Sequence, residues 1–455
     1  MRNKSLIESS SMLKKELGKN NFSIIKSLDV LPKERRKTRT FRASLLKEFG
    51  SKCGLCLNDF SSNNLEAAHI VPLELGSSTE SSNLILLCKE CHRLYDKGYM
   101  SINNMFKIHK ELLSGKRNTP IYLKNISVPY SSPSITPPPE KIKNTLEEIR
   151  QDQIKSHNVI AIKKARKELE KYSEASPEHI RLQIKIAELT RRRAAKGVLK
   201  EALNILQSLN EETMDKVFHS VYFYELNYVY RLSGCHSKAL GVIKKSSKAD
   251  ISNNDSKELG VGYVAAEVNV LLCELADHEK LDAVEAEEFV NKFNRLTKIA
   301  SKQGKYWGGR WALNSEAHVL QIYIKSGNAN KCWTSLNKLK NQFYSSDITN
   351  GWDLGSRKSL SLFDGIVHTL FPRNEMDIHH GVRILSRSFV SRIGPKSRPE
   401  GIRDVGYSLA KGMNKLNSEK YSELSDCVKG IMDFTLDGTS YIWPYKANSN
   451  ETTTT

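Results

Sequence analysis

The chain lacks any apolar stretch long enough to cross a lipid bilayer, which takes about 20 residues. The longest candidate covers residues 261–275, and it is interrupted by Glu267, Asn269 and Glu274. The first 20 residues are polar and contain no hydrophobic core of the kind that a secretory signal peptide needs. These absences argue against a membrane protein, and we expect a cytoplasmic protein with no membrane partner.

Cysteine is too sparse for a disulfide framework. Eight cysteines occur in 455 residues, and four of them are scattered singly: Cys235, Cys273, Cys332 and Cys427. We expect these four to be reduced and mostly buried thiols, as in a reducing cytosol. The length and the 39% share of hydrophobic residues fit a soluble chain of two to three domains.

Acidic residues are outnumbered by basic ones. The chain has 51 Asp and Glu against 70 Lys and Arg, a net charge of +19. The excess is densest in residues 1–52, with 14 Lys and Arg against 5 Asp and Glu. Such a surface favours a polyanion, because each neutralised phosphate releases counterions. The predicted nucleic-acid contacts are Arg35, Arg36, Lys37, Arg39 and Arg42.

Proline is scarce outside residues 127–140, where Pro137, Pro138 and Pro139 are consecutive. This composition is typical of a semi-rigid extended linker. We therefore predict the following division of the chain: a basic leader at 1–40, a first domain at 41–126, the linker at 127–140, an α-helical domain at 141–445, and a disordered tail at 446–455.

Helical periodicity dominates from residue 141 onward. Three segments share an apolar residue, a glycine eight positions later and a small residue five positions after that: Leu189, Gly197 and Ala202; Leu226, Gly234 and Ala239; Val319, Gly327 and Cys332. The pattern resembles the tetratricopeptide (TPR) repeat, in which small residues let paired helices pack closely. Residues 240–318 do not keep the period, so an irregular α-bundle is the alternative. A TPR-like array would bind a partner protein or peptide on its concave face.

Two Cys-x2-Cys pairs stand ahead of this region. They are Cys53 with Cys56 and Cys88 with Cys91, separated by 31 residues. Four thiolates in two such pairs can close a tetrahedral shell around a structural zinc ion. Chance spacing of buried thiols is the alternative.

Polar residues with catalytic potential fall between and after the cysteines. The chain reads Glu66-Ala-Ala-His69-Ile-Val-Pro72, then Asn83-Leu84, then His92-x3-Asp96-x-Gly98. This pattern resembles the HNH endonuclease family over residues ~40–110, and the family's fold is a β-hairpin and a helix around one metal (ββα-metal). We therefore expect an α+β protein, with a small zinc-stabilised ββα-metal HNH domain followed by a large all-α TPR-like helical-repeat domain.

The resemblance implies a role for each polar side chain. His69 would be the general base, since an imidazole can accept a proton near neutral pH. His92 and Asp96, one helical turn apart, would bind a catalytic Mg²⁺, Mn²⁺ or Zn²⁺. Asn83 would orient His69 by hydrogen bonds from its side chain to the backbone of the intervening loop. The substrate would be double-stranded DNA.

Ala68 departs from the commonest family pattern, in which Asp or His precedes the base and binds the metal. Glu66 lies on the same face of the strand as Ala68, so it is either a substitute ligand or a solvated strand residue. We expect a metal-dependent DNA endonuclease with a helical regulatory domain and, by family analogy, a bacterial anti-phage defence effector. The alternative is a zinc-stabilised nucleic-acid-binding or scaffold protein without catalysis. Oligomer formation stays open.

Local patterns also predict elements around these residues. A first strand is expected over residues 65–71, and a helix ending near Lys97 with Gly98 as its cap. Residues 100–108 are expected to form a short hairpin, because apolar stretches flank a turn at Asn103 and Asn104.

Overall fold

The computed structural model describes residues 30–384, with gaps at 78, 124–138, 155–156, 194–196, 213, 216–217, 234, 254–260, 279–280, 303, 353, 375, 378–379 and 382–383. The predicted leader up to residue 29, most of the linker and the predicted tail lie outside the described residues, as does Cys427. The described strands and helices are β1 (Leu65–His69), β2 (Leu84–Cys88), α1 (Val30–Phe49), α2 (Lys89–Asp96), α3 (Ile102–Leu113), α4 (Lys143–Ile154), α5 (Asn158–Leu169), α6 (Pro177–Arg191), α7 (Val198–Gln207), α8 (His219–Leu232), α9 (His236–Asn253), α10 (Val261–Asp277), α11 (Ala283–Ser301), α12 (Lys305–Ser326), α13 (Ala329–Ser345) and α14 (Leu354–Leu370).

Strands β1 and β2 form a two-stranded antiparallel sheet. Its register pairs Leu65 with Cys88 and His69 with Leu84. All five residues of β2 are buried, because α1 and α2 both pack against the sheet. Strand β1 ends at His69, two residues earlier than predicted, so the loop before β2 begins directly after this histidine.

The segment after α2 differs from its predicted structure. The predicted hairpin over residues 100–108 is wrong, since residues 102–108 belong to helix α3. Ser101 caps α3 by accepting a hydrogen bond from the Asn104 amide (3.3 Å). Ile102, Met105 and Ile108 recur at helical spacing and are all buried, so burial of one helix face explains the result.

Helices α4 to α14 follow one another in the chain, and each packs against the next. Gly197 and Gly327 adopt left-handed φ angles of 74° and 69° at helix boundaries, as turns between paired helices require. Ala202, Ala239 and Cys332 are completely buried, which lets neighbouring helices approach closely. The predicted α+β class is confirmed: a small sheet-containing domain is followed by a large helical region.

The sheet-containing part packs directly against the helical region. Leu86 and Met105 belong to the same hydrophobic core as Leu336 and Phe343 of α13. The turn between α13 and α14 contacts the end of α2, where the Ile348 amide donates to the Gly98 carbonyl (2.7 Å).

Among the described helices, none is at once long enough and apolar enough to serve as a membrane span.

Candidate active site and zinc centre

The four paired cysteines converge on one point. Cys53 and Cys56 lie in a turn ahead of β1, Cys88 ends β2, and Cys91 lies in the first turn of α2. Their Sγ atoms all lie within 4.8 Å of one another, and all four side chains are buried. The turn closes tightly because Leu57 takes a positive φ of 58° and its amide donates to the Cys53 carbonyl (2.9 Å).

Backbone amides point at two of these sulfurs. The Cys88 amide donates to Cys53 Sγ (3.3 Å), and the Cys91 amide donates to Cys88 Sγ (3.5 Å). A hydrogen bond from the Cys91 thiol lowers the pKa of Cys53 to about 5, whereas burial raises the pKa of Cys56 to about 11 and the hydrogen bond with Cys53 raises the pKa of Cys91. Four convergent sulfurs are the ligand set of a structural zinc site, so this buried cluster could hold a Zn²⁺.

His69 is the last residue of β1, and the chain on either side of it is held by hydrogen bonds. Its Nε2 lies 3.0 Å from Thr79 Oγ1. Asn83 Oδ1 accepts from the Val71 amide (2.8 Å), while Asn83 Nδ2 donates to the Val71 carbonyl (3.0 Å). The Asn83 carbonyl accepts from the Ile70 amide (2.9 Å). Asn83 therefore clamps the two residues that follow His69.

His92 lies between two carboxylates. Its Nδ1 is 2.8 Å from Glu66 Oε2 on β1, and its Nε2 is 3.7 Å from Asp96 Oδ2, one turn further along α2. The His92 side chain is 26% exposed, and those of Glu66 and Asp96 are 45% and 57% exposed, so solvent and substrate can reach all three. Since each carboxylate contacts a different ring nitrogen, Glu66 and Asp96 lie on opposite sides of the imidazole.

The donor set allows one divalent ion beside His92. His92 Nε2 and Asp96 could both bind it, while Glu66 accepts a hydrogen bond from Nδ1, as carboxylates commonly do for metal-bound histidines. Ala68 is buried, pairs with Ile85 across the sheet, and offers no ligand. An ion held by one imidazole and one carboxylate would keep several water ligands, and Mg²⁺, Mn²⁺ and Zn²⁺ all accept such a ligand set.

Comparison with known families identifies this arrangement. Residues 53–98 match the family described as HNH endonuclease. The chain carries an HNH endonuclease domain. The match runs from Cys53 to Gly98. It therefore contains β1, β2, α2 and the polar residues His69, Asn83 and His92.

Part of the chain is similar to a solved structure. One similar chain is the crystal structure of nearly identical TPR-like repeats from a Podosopora anserina protein assigned as a kinesin light chain. The two chains share 14% sequence identity and a TM-score of 0.33, over 44% of this chain and 94% of that one. A search of curated proteins finds no match. A TM-score this low does not establish a shared fold. The helical region is therefore characterised by the packing of α4 to α14 alone.

Two further residues of the HNH domain hold the segment around His69 and were not predicted. The hydroxyl of Tyr95, a buried residue of α2, donates to the Ile70 carbonyl (2.5 Å). Burial raises the pKa of Tyr95, so the phenol stays protonated and can donate near neutral pH. In the sequence, the signal that could have pointed to Tyr95 was its position, three residues after His92. Thr79 gave no signal, since its contact depends on the shape of a loop.

Of the five predicted nucleic-acid contacts, the structure describes the side chain at one position, Arg42. Arg42 on α1 donates from Nε to the Leu65 carbonyl (3.0 Å) and from Nη2 to the Ser62 carbonyl. Arg42 therefore ties α1 to the start of β1. The side chains of the other four lie outside the described residues, and their phosphate contacts stay predictions: Arg35, Arg36, Lys37 and Arg39.

Proposed function

We propose that the protein is a metal-dependent endonuclease that hydrolyses phosphodiester bonds in double-stranded DNA. The observation that carries the proposal is the HNH family match over residues 53–98, together with the contacts of His92 and the clamped segment after His69. The basic segment ahead of the domain supports a polyanionic substrate.

Each side chain has a role in this proposal. His69 accepts a proton from the attacking water, and the contact between its Nε2 and Thr79 Oγ1 (3.0 Å) holds the ring in place. His92 and Asp96 would hold a divalent ion, which would supply positive charge beside the scissile phosphate. Glu66 accepts a hydrogen bond from His92 Nδ1, so its role is to fix the ring. Asn83 and Tyr95 fix the segment after His69 through Val71 and Ile70.

The helical region gives the nuclease a means of control. A helical array offers an extended surface for a partner protein or peptide, and free cutting would destroy the DNA of the host. We therefore infer that this region restrains or recruits the nuclease in the cytoplasm, as in a bacterial effector of defence against phage. A partner-induced oligomer is compatible with this arrangement.

The second candidate is a zinc-stabilised nucleic-acid-binding or scaffold protein without catalysis. Ala68 favours it, because the position before the proposed base offers no metal ligand. The two candidates differ in one observable, which is cutting that depends on His69.

The test is nicking of a supercoiled plasmid with Mg²⁺ or Mn²⁺. His69→Ala should abolish nicking while retention of the plasmid in a gel-shift assay is unchanged. His157→Ala is the matched control, since His157 is an exposed histidine of the helical region. Equal nicking by wild type and His69→Ala would contradict the mechanism. Plasmid binding without nicking, with either ion and with cell extract added, would favour the second candidate.

A further inference from the structure

A second group of potential metal ligands lies in the helical region, beside the HNH domain. Asp364 and His368 are one turn apart on α14, and His380 follows that helix in the chain. One carboxylate oxygen and one nitrogen from each ring can be chosen so that all three atoms lie within 4.8 Å of one another. Apart from the four paired cysteines, the described residues hold no other group of this kind.

Asp364 is a buried carboxylate with one oxygen beside two nitrogen donors and the other oxygen without a partner in the part of the chain that the structure describes. Its side chain is 1% exposed, with Oδ1 2.6 Å from Lys340 Nζ and 3.0 Å from His368 Nδ1. Its Oδ2 is buried and has no hydrogen-bond partner among the described residues. A buried acceptor left in this state destabilises the fold, and more so when it is charged.

His368 turns one edge of its ring towards Asp364. Its Nδ1 lies 2.8 Å from the Asp364 backbone carbonyl and 3.0 Å from Asp364 Oδ1. Its Nε2, at the other edge of the ring, is 3.7 Å from Asp377 Oδ1. The ring centroids of His368 and His380 are 4.5 Å apart. Two imidazoles and the Asp364 carboxylate therefore lie together.

We propose that Asp364, His368 and His380 bind a first-row transition-metal ion, with water as the fourth ligand. Imidazole with carboxylate suits Zn²⁺ and its neighbours in the series, whereas Mg²⁺ and Ca²⁺ prefer oxygen alone. In the ion-free protein, the Lys340 ammonium supplies the positive charge beside Asp364. The Lys340 side chain is 25% exposed, so it can swing into solvent when the ion enters.

The position of the site gives it a consequence for the nuclease. Gly76, in the loop between β1 and β2, packs on this cluster, and a Cβ there would lie 2.7 Å from His380 Cε1. The same loop carries Thr79, the partner of His69. An ion that fixes His380 therefore also fixes the surface on which this loop rests.

Metal content gives the first test, in a His92→Ala background that removes the proposed nuclease ion. After dialysis against Zn²⁺ and then against zinc-free buffer, zinc is counted by elemental analysis. We expect one ion more in this background than in His92→Ala/His380→Ala, with affinity for the additional ion at least about tenfold weaker in the double variant. His380 is only partly buried, so its loss should leave the fold intact. Equal zinc content and affinity in the two proteins would overturn the proposal.

Lys340→Met gives a second test, which separates a metal site from a structural ion pair. Without the ammonium, Asp364 is buried beside an empty volume, so the melting temperature should fall. Added Zn²⁺ should restore it and bind more tightly than in the wild type, whereas Mg²⁺ should not. Lys340→Met/Asp364→Asn should show no such rescue. A Lys340→Met protein that Zn²⁺ does not stabilise would mean that Lys340 and Asp364 form a structural pair only.

Discussion

The indole ring of Trp352 lies directly on the α-carbon of Gly98. A Cβ atom at Gly98 would overlap the ring, and the residue also takes a φ of 82°. Gly98 follows Asp96 by two residues, so the helical region touches the nuclease domain at the end of the helix that carries both proposed ion ligands.

Gly98→Ala should therefore weaken the packing of the helical region against the HNH domain. The positive φ alone costs about 1–2 kcal/mol, and overlap with Trp352 should add about 1–3 kcal/mol. Gly327→Ala is the matched control, because Gly327 ends a helix at φ 69° with open space around its Cβ position. Urea denaturation of both variants should show the larger loss for Gly98→Ala. Equal losses would mean that the Trp352 contact contributes little.

Glu66→Gln should lower nicking activity more than metal affinity. The amide oxygen of Gln can still accept from His92 Nδ1 but without a charge, and such changes beside a metal ligand cost about 10–100-fold. Asp96→Asn should instead raise the Mn²⁺ concentration needed for half-maximal nicking, because a ligand is altered. Titration of both variants with Mn²⁺ separates the roles. If Glu66→Gln raised the Mn²⁺ concentration needed for half-maximal nicking as much as Asp96→Asn does, Glu66 would be a direct ligand.

Cys91→Ser should release one zinc ion and destabilise the HNH domain, since structural zinc contributes its binding free energy to folding. Cys235→Ser is the control, because Cys235 lies in the helical region away from the cluster. Zinc is measured by elemental analysis of the purified variants after dialysis. Full zinc content in Cys91→Ser would contradict a four-cysteine site.

His318 should make stability depend on pH. Burial lowers the pKa of His318 to about 4, and Arg231 adds to this, so the folded protein keeps the ring neutral. The unfolded chain takes up a proton below about pH 6.5, so stability is lost as the pH falls from 7 towards 4, by at most about 3 kcal/mol. His318→Gln should lose less stability than wild type between pH 7.5 and 5 in urea denaturation. Identical losses would assign the dependence to other groups.

Short-range spacing made the four-cysteine cluster and α2 predictable. The distance between cysteines in a pair, and the one-turn separation of His92 and Asp96, are properties of the local chain. Residues 100–108 were misassigned because two short apolar stretches around Asn103 and Asn104 suggested alternation, while the helical spacing of Ile102, Met105 and Ile108 was decisive.

Long-range contacts were not predictable from the sequence. The contact of Trp352 with Gly98 joins residues far apart in the chain, and Gly98 alone indicated a helix cap and nothing more. Thr79 reaches His69 only through the conformation of a loop. The group formed by Asp364, His368 and His380 depends on how the chain returns after α14, which no local pattern encodes.

The core shared by Leu86, Met105, Leu336 and Phe343 has a consequence for proteolysis. A nick within the proline-rich segment would break the backbone and leave the two fragments held together by apolar contacts. Separating them would expose Trp352 and Phe343 on one fragment, and on the other the face of α3 that packs against the helical region. Each fragment expressed alone would therefore tend to aggregate.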